Sequence, residues 1–207
     1  MITVNKQILS PLCILAIMTL ATNCKPISKI EDNNINIATI TNDTYSKLNG
    51  TYSNSFDITA GKVNHFPYDA ISDTQRLSVL NLLFNKYPES AWRDETGKWI
   101  DPKEKWIKIE FNSEKIATIS MYHNDKFIFS KSIHGKFKNG YFYLRPKVYA
   151  VPFIPLWFGY NFQSARIGKT TNNDLIIDYR VNTWMFAVMA GGSNKGAVSS
   201  IYKSKKL

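Results

Sequence analysis

Gly135-Lys136-Phe137-Lys138-Asn139-Gly140-Tyr141-Phe142-Tyr143-Leu144 is the stretch that decides the fold. Asn-Gly accepts positive φ at both central positions of a two-residue turn, and that turn's twist matches the right-handed twist of paired strands. Aromatic residues alternating with lysines on either side complete a β-hairpin. The same pattern continues outward. Upstream, Ile107, Ile109 and Phe111 alternate with Trp106, Lys108 and Glu110, a period of two that places every second side chain on one face. Ile116 to Tyr122 and Lys126 to Ile133 form a pair joined by His123-Asn124-Asp125. Downstream, strands are predicted over Leu156–Ile167, Leu175–Val181, Trp184–Met189 and Ala197–Tyr202, with Asn172-Asn173-Asp174 and Gly191-Gly192-Ser193 as turns. An earlier strand is predicted over Tyr45–Phe56, interrupted by Gly50.

The expected fold class is therefore mainly β. Sequential antiparallel strands with short connections read as a meander that closes into a barrel or folds into a sandwich. One helix is predicted near residues 73–87, where Asp73 can cap the start, Leu77, Leu80, Leu83 and Phe84 form a stripe, and Pro88 closes it. It belongs to a helical insertion at about 57–105, within a single domain over 45–207.

The chain has 207 residues and a formal charge of +10. Its lysines are scattered singly, as at Lys131, Lys136 and Lys138, with no arginine cluster or basic helix. Nucleic acid binding requires a clustered electrostatic footprint, so no nucleic-acid partner is expected. A soluble surface, or attraction to anionic lipid or polysaccharide, is the use such charge has in an anchored protein.

Residues 1–23 have the layout of an export signal. Lys6 is their one charge, an apolar run spans residues 8–21, and Pro11 with the short length argues against a permanent membrane span. The end of this segment, Leu20-Ala21-Thr22-Asn23-Cys24, resembles the lipobox of bacterial lipoproteins, with Ala21 and Asn23 where that motif usually has Leu and Gly or Ala. The resemblance implies cleavage before Cys24, acylation of its thiol, and membrane attachment. Cleavage after Ala21 is the alternative. Cys13 lies inside the signal, so Cys24 would be the only cysteine kept, and no internal disulfide could form. Residues 24–44, polar and without helical periodicity, read as a flexible tether. The expected location is the cell envelope, membrane-anchored, in the outer membrane of a Gram-negative bacterium.

Leu48-Asn49-Gly50-Thr51-Tyr52 resembles the Gly-X-Trp strand that opens lipocalin-like barrels, with Tyr52 in place of the tryptophan. That resemblance covers residues 48–52 and 106–203 and implies an up-and-down barrel with an apolar cavity.

Catalytic and metal constellations are not found. His65, His123 and His134 lack ligand spacing, there is no Gly-X-Ser-X-Gly elbow, and Gly191 to Gly196 lacks phosphate-loop spacing. Asp94 with Glu95 and Asp101 with Glu104 are neighbours on a polar loop rather than carboxylates facing across a cleft. The chain reads as non-enzymatic, with no cofactor. The most distinctive segment runs from Val148 to Tyr160, where Pro152 and Pro155 among aromatics predict a loop or sheet edge. Tyr149, Phe153, Trp157, Phe158 and Tyr160 are its candidate contact residues. Two functions are expected from this: binding a small apolar or amphipathic ligand in the barrel, or a structural or protein-interaction module of the envelope. Oligomeric state is left open.

Overall fold

The computed structural model describes residues 36–62, 77–84, 91–94, 96–154, 157–187 and 190–205. Its described residues form one antiparallel sheet of ten strands, strongly curled into a half-barrel. The strands are β1 (Gly50–Ser53), β2 (Ile58–Lys62), β3 (Lys105–Ser113), β4 (Ile116–His123), β5 (Lys126–Lys138), β6 (Tyr141–Leu144), β7 (Lys147–Ile154), β8 (Trp157–Lys169), β9 (Leu175–Ala187) and β10 (Ala190–Tyr202). Across the sheet they run β1-β3-β4-β5-β6-β8-β9-β10-β2, with β7 paired to β8 beside that path.

The alternation that predicts β3 is the alternation observed. Lys105, Ile107, Ile109 and Phe111 are buried, while Trp106, Lys108 and Glu110 are half-buried on the other face. Three of the predicted turns adopt the left-handed backbone that asparagine and glycine tolerate: Asn124 and Asp125 at φ 48° and 60°, Asn139 and Gly140 at 51° and 80°, and Asn173 at 69°. β5 is longer than expected. It pairs with β4 through His134 and with β6 from Gly135 onward, passing from one partner to the other without a break. Gly135 permits this, because a Cβ there would collide with the Tyr143 carbonyl oxygen.

Several expectations are corrected. Gly191-Gly192-Ser193 is not a turn: these residues lie within β10, opposite Phe186, Met185 and Trp184 of β9. Glycine punctuates loops but also sits in strands at close backbone approaches, and two glycines in sequence do not distinguish the cases. The strands predicted at 175–181 and 184–189 are accordingly one, β9. Asn42–Leu48 forms 3₁₀ turns rather than a strand, with Leu48 fully buried, and β1 is confined to Gly50–Ser53. Within the stretch expected as a tether over 24–44, Ala38 N–H donates to the Lys169 carbonyl at 2.8 Å and Ile40 is buried in the core, so this part is packed on the sheet; residues 24–35 lie outside the described residues. The described part of the predicted helix is α1, Val79–Leu83, with the Ser78 hydroxyl accepting from the Asn81 amide. Asp73 and Pro88 lie outside the described residues.

α1 is buried on nearly all sides because it sits on the concave face of the sheet. Val79, Leu80, Leu82 and Leu83 pack in one cluster with Ile107, Ile109, Phe111, Met121, Phe142, Ile167, Ile177 and Tyr202. The hydroxyl of Tyr202 donates to the Leu77 carbonyl at 2.5 Å, and the Val79 amide to Asn54 at 3.2 Å, tying the helix to the wall.

The free edge of β1 is covered along a seam by the chain that follows β10. Past β10, the chain leaves β2 and pairs with β1: Ser53 N–H donates to the Lys203 carbonyl at 2.9 Å and Lys205 N–H to the Thr51 carbonyl at 2.8 Å. Tyr52 and Ser204 form the bridge between them. Tyr52 folds back over Gly50 so closely that a Cβ there would sit 2.6 Å from its hydroxyl, which donates to the Leu48 carbonyl. The Gly50-Thr51-Tyr52 triplet thus has a packing reason. Among the described residues, no helix is long and apolar enough to cross a membrane.

Candidate functional site

The aromatic segment from Val148 to Tyr160 is a β-hairpin rather than a loop. Tyr149 and Phe153 lie in β7, and Trp157, Phe158 and Tyr160 in β8. The edge part of the expectation holds, since β7 has β8 as its neighbour and lies off the main path of the sheet. The register shifts between Val151 and Ile154, the interval containing Pro152, which has no N–H to give the ladder. The side chains of Tyr149, Phe153, Trp157 and Phe158 lie outside the described part of the structure. Tyr160 is half-buried, accepts a hydrogen bond from Asn182 Nδ2 at 3.3 Å and stacks on Trp184 at 6.3 Å. Cys24, with all of residues 1–35, and His65 also lie outside the described residues.

The concave face, where a barrel would hold its ligand, carries α1 and its packing partners. Two larger recesses bounded by described residues lie beside this core. One of about 460 Å³ lies where the end of α1 meets β5, β6 and the start of β7. Its apolar floor is Leu83, Phe84, Ile133 and Leu144, and over it stand Lys131, Arg145 and Lys147, with His134 beside them. Each is placed by the backbone. Lys131, Ile133 and His134 follow one another on β5, and the Arg145 amide donates to the His134 carbonyl at 3.0 Å, drawing β6 and the β6–β7 link against β5.

The cations are held over the floor, not simply scattered around it. Lys147 Nζ donates to the Leu83 carbonyl at 2.9 Å, at the last residue of α1. Lys131 Nζ lies 5.3 Å from the centre of the Phe84 ring, a cation–π distance, and Phe84 in turn meets Phe129 edge-on. Burial pushes the Lys147 ammonium down to about 8, and the nearby charge of Lys131 adds to the effect. The charged side chains among the described lining residues are all positive.

A second polar cluster crosses the outer face of the sheet. Tyr143, Arg166, Asp178 and Ser199 lie in one register row across β6, β8, β9 and β10. Arg166 Nε donates to Asp178 Oδ2 at 2.6 Å and its Nη1 to Tyr143 at 3.0 Å, and the Ser199 hydroxyl donates to the other Asp178 oxygen. Tyr141 covers the guanidinium at 4.1 Å, and Arg166 and Asp178 are 6% and 1% exposed. That burial makes it a structural tie rather than a site. Neither cluster is visible in the sequence, because strand register brings Arg166 opposite Asp178, and the place where α1 ends brings Lys131 and Lys147 together.

The fold and cleft define a class: an antiparallel half-barrel filled by a short helix, with a basic, apolar-floored cleft at the helix end. No family model, curated protein or solved structure matches the chain.

Proposed function

We propose that this protein is a non-enzymatic, lipid-anchored protein of the cell envelope that binds a small amphipathic anion in the cleft between α1 and β5–β7. The observation that carries the reading is the convergence of Lys131, Arg145 and Lys147 on the floor formed by Leu83, Phe84, Ile133 and Leu144. An apolar floor favours hydrocarbon, and lysine and arginine donors at its edge favour a carboxylate, sulfonate or phosphate head through charge-assisted hydrogen bonds. The anchor rests on the signal-like residues 1–23 and on Cys24 as the cysteine that follows them.

Titration with anilinonaphthalene sulfonate, an aromatic ring system bearing one anionic group, tests the cleft. The protein is expected to bind it, a medium-chain fatty acid to displace it, and the uncharged long-chain alcohol to displace it far less. Replacing Lys131 and Lys147 together by Gln should weaken binding by at least tenfold, since a charged hydrogen bond contributes about 1.5–3 kcal/mol. Equal affinity in the double variant, with an unchanged unfolding midpoint, would overturn the proposal.

A further inference from the structure

A second recess, of about 770 Å³, opens where the β4–β5 turn meets the hairpin over residues 91–100. Phe127, which lines the recess, is 58% exposed, and Trp99, bridged to the lining residue Arg93 on the hairpin that bounds it, is 57% exposed. Both are held in place. Arg93 pairs with Trp99 across the hairpin, and its guanidinium lies 4.8 Å from the Trp99 ring. Asp94 Oδ1 fixes the hairpin tip by accepting from the Thr96 amide, the Thr96 hydroxyl and the Lys98 amide at 2.6–3.0 Å. Phe127 rests edge-on against Tyr122 at 5.8 Å, and Tyr122 stacks flat on Trp106 at 4.0 Å.

An exposed aromatic ring at the edge of a recess offers a flat apolar face on which a ligand can lie. The rim decides which. Among the described lining residues Arg93 and Lys126 stand with one carboxylate, Asp94, while Asn124 adds an amide and His123 an imidazole. A nucleic acid strand or an anionic bilayer calls for a rim of one positive sign. This rim has both signs beside the exposed Phe127 ring, with Trp99 on the hairpin that carries Arg93 and Asp94. A pyranose has the complementary form, with an apolar C–H face to lie on a ring and a periphery of neutral hydroxyls that donate and accept.

We propose that this recess binds a neutral saccharide chain, with Trp99 and Phe127 as the stacking rings and Arg93, Asp94 and Asn124 at the hydroxyls. The site is independent of the cleft at Lys131 and Lys147.

The test uses the full chain in a detergent that contains no sugar, titrated calorimetrically with cellohexaose, maltohexaose and chitohexaose. At least one should bind in the millimolar range or tighter. Trp99→Ala and Phe127→Ala should each weaken that binding about tenfold while leaving the circular dichroism and unfolding midpoint unchanged, because both rings are exposed. The Lys131→Gln, Lys147→Gln protein should bind the sugar as the parent does, which separates this site from the cleft. Absence of heat with all three oligosaccharides overturns the proposal. So does undiminished binding in both ring variants, or ring variants that lose only binding to phosphatidylglycerol vesicles.

Discussion

Arg166 and Asp178 stand opposite each other on β8 and β9, on the face of the sheet that alternation assigns to solvent, yet both are buried. Tyr141 covers the pair, and beside it Ile176 and Ile201 form a small outer apolar cluster against which Ile37 packs. A buried ion pair gives little net stability, but removing one partner leaves the other charge without compensation. Arg166→Met should therefore lower the unfolding free energy by about 3–5 kcal/mol, and adding Asp178→Leu should restore most of it. Urea titrations of the three proteins decide this, and equal losses in the single and double variants would refute it. Sequence alternation correctly separates the two faces of each strand. It does not reveal that residues before the first strand cover part of the outer face, so Arg166 and Asp178 read as solvated. The cleft lysines are hidden for the same reason. Lys131 is one of the singly spaced lysines of β5, and its placement over Phe84 depends on where α1 ends.

At the scale of elements, turns were legible wherever chemistry demanded positive φ, as at Asn124-Asp125 and Asn139-Gly140. Strand lengths were less so. β5 and β9 each run through a position that reads as a break, because ladder pairing on both sides outweighs local propensity. β2 was not expected, since Ala60-Gly61 reads as a breaker, and its identity as a strand comes from pairing with β10 in residues 197–201. The C-terminal tail carries the element-scale prediction. Ending the chain at Tyr202 removes the Ser53–Lys203 and Lys205–Thr51 backbone bonds and the bond from the Ser204 amide to Asp174. At about 0.5–1.5 kcal/mol each, the loss should be about 2–4 kcal/mol. Hydrogen exchange should show the Ser53 amide losing protection while the amides of β4 keep theirs. Unchanged protection at Ser53 would mean that the seam does not depend on the tail.

The whole molecule should respond to alkaline pH in a defined way. Lys105 is 1% exposed, donates to the Ala91 carbonyl at 2.5 Å and sits 4.5 Å from the Trp92 ring. Burial pushes it down to about 8, against the opposing pull of Asp101 and Glu104, and Lys147 is likewise near 8. In the unfolded chain both return toward 10.5. Below pH 8 both states are protonated, and the folded state bears the full cost of the buried charges. As pH rises from about 8 toward 10.5 the folded state releases its protons first, so stability increases. Buried tyrosines set the upper limit. Burial raises Tyr52 and Tyr202, and Tyr141 to about 12, so above pH 10 the unfolded chain ionises first and stability falls. Urea midpoints should climb between pH 8 and pH 10 and then decline, and Lys105→Met should flatten part of the climb. A midpoint that falls steadily from pH 8 would contradict the assignment of these lysines.

The seam also has a kinetic meaning. Thr59 meets Ser199 and Ser200 across about 140 residues of chain, and Thr51 meets Lys205 across even more. Such distant pairings form slowly, because the intervening loop must close before any bond rewards it. A chain delivered N-terminus first would hold β2 without its β10 partner, and β1 without the cover of residues 203–205, until those segments arrived. The half-barrel is thus suited to being threaded as an open polymer and completed only at the end of delivery.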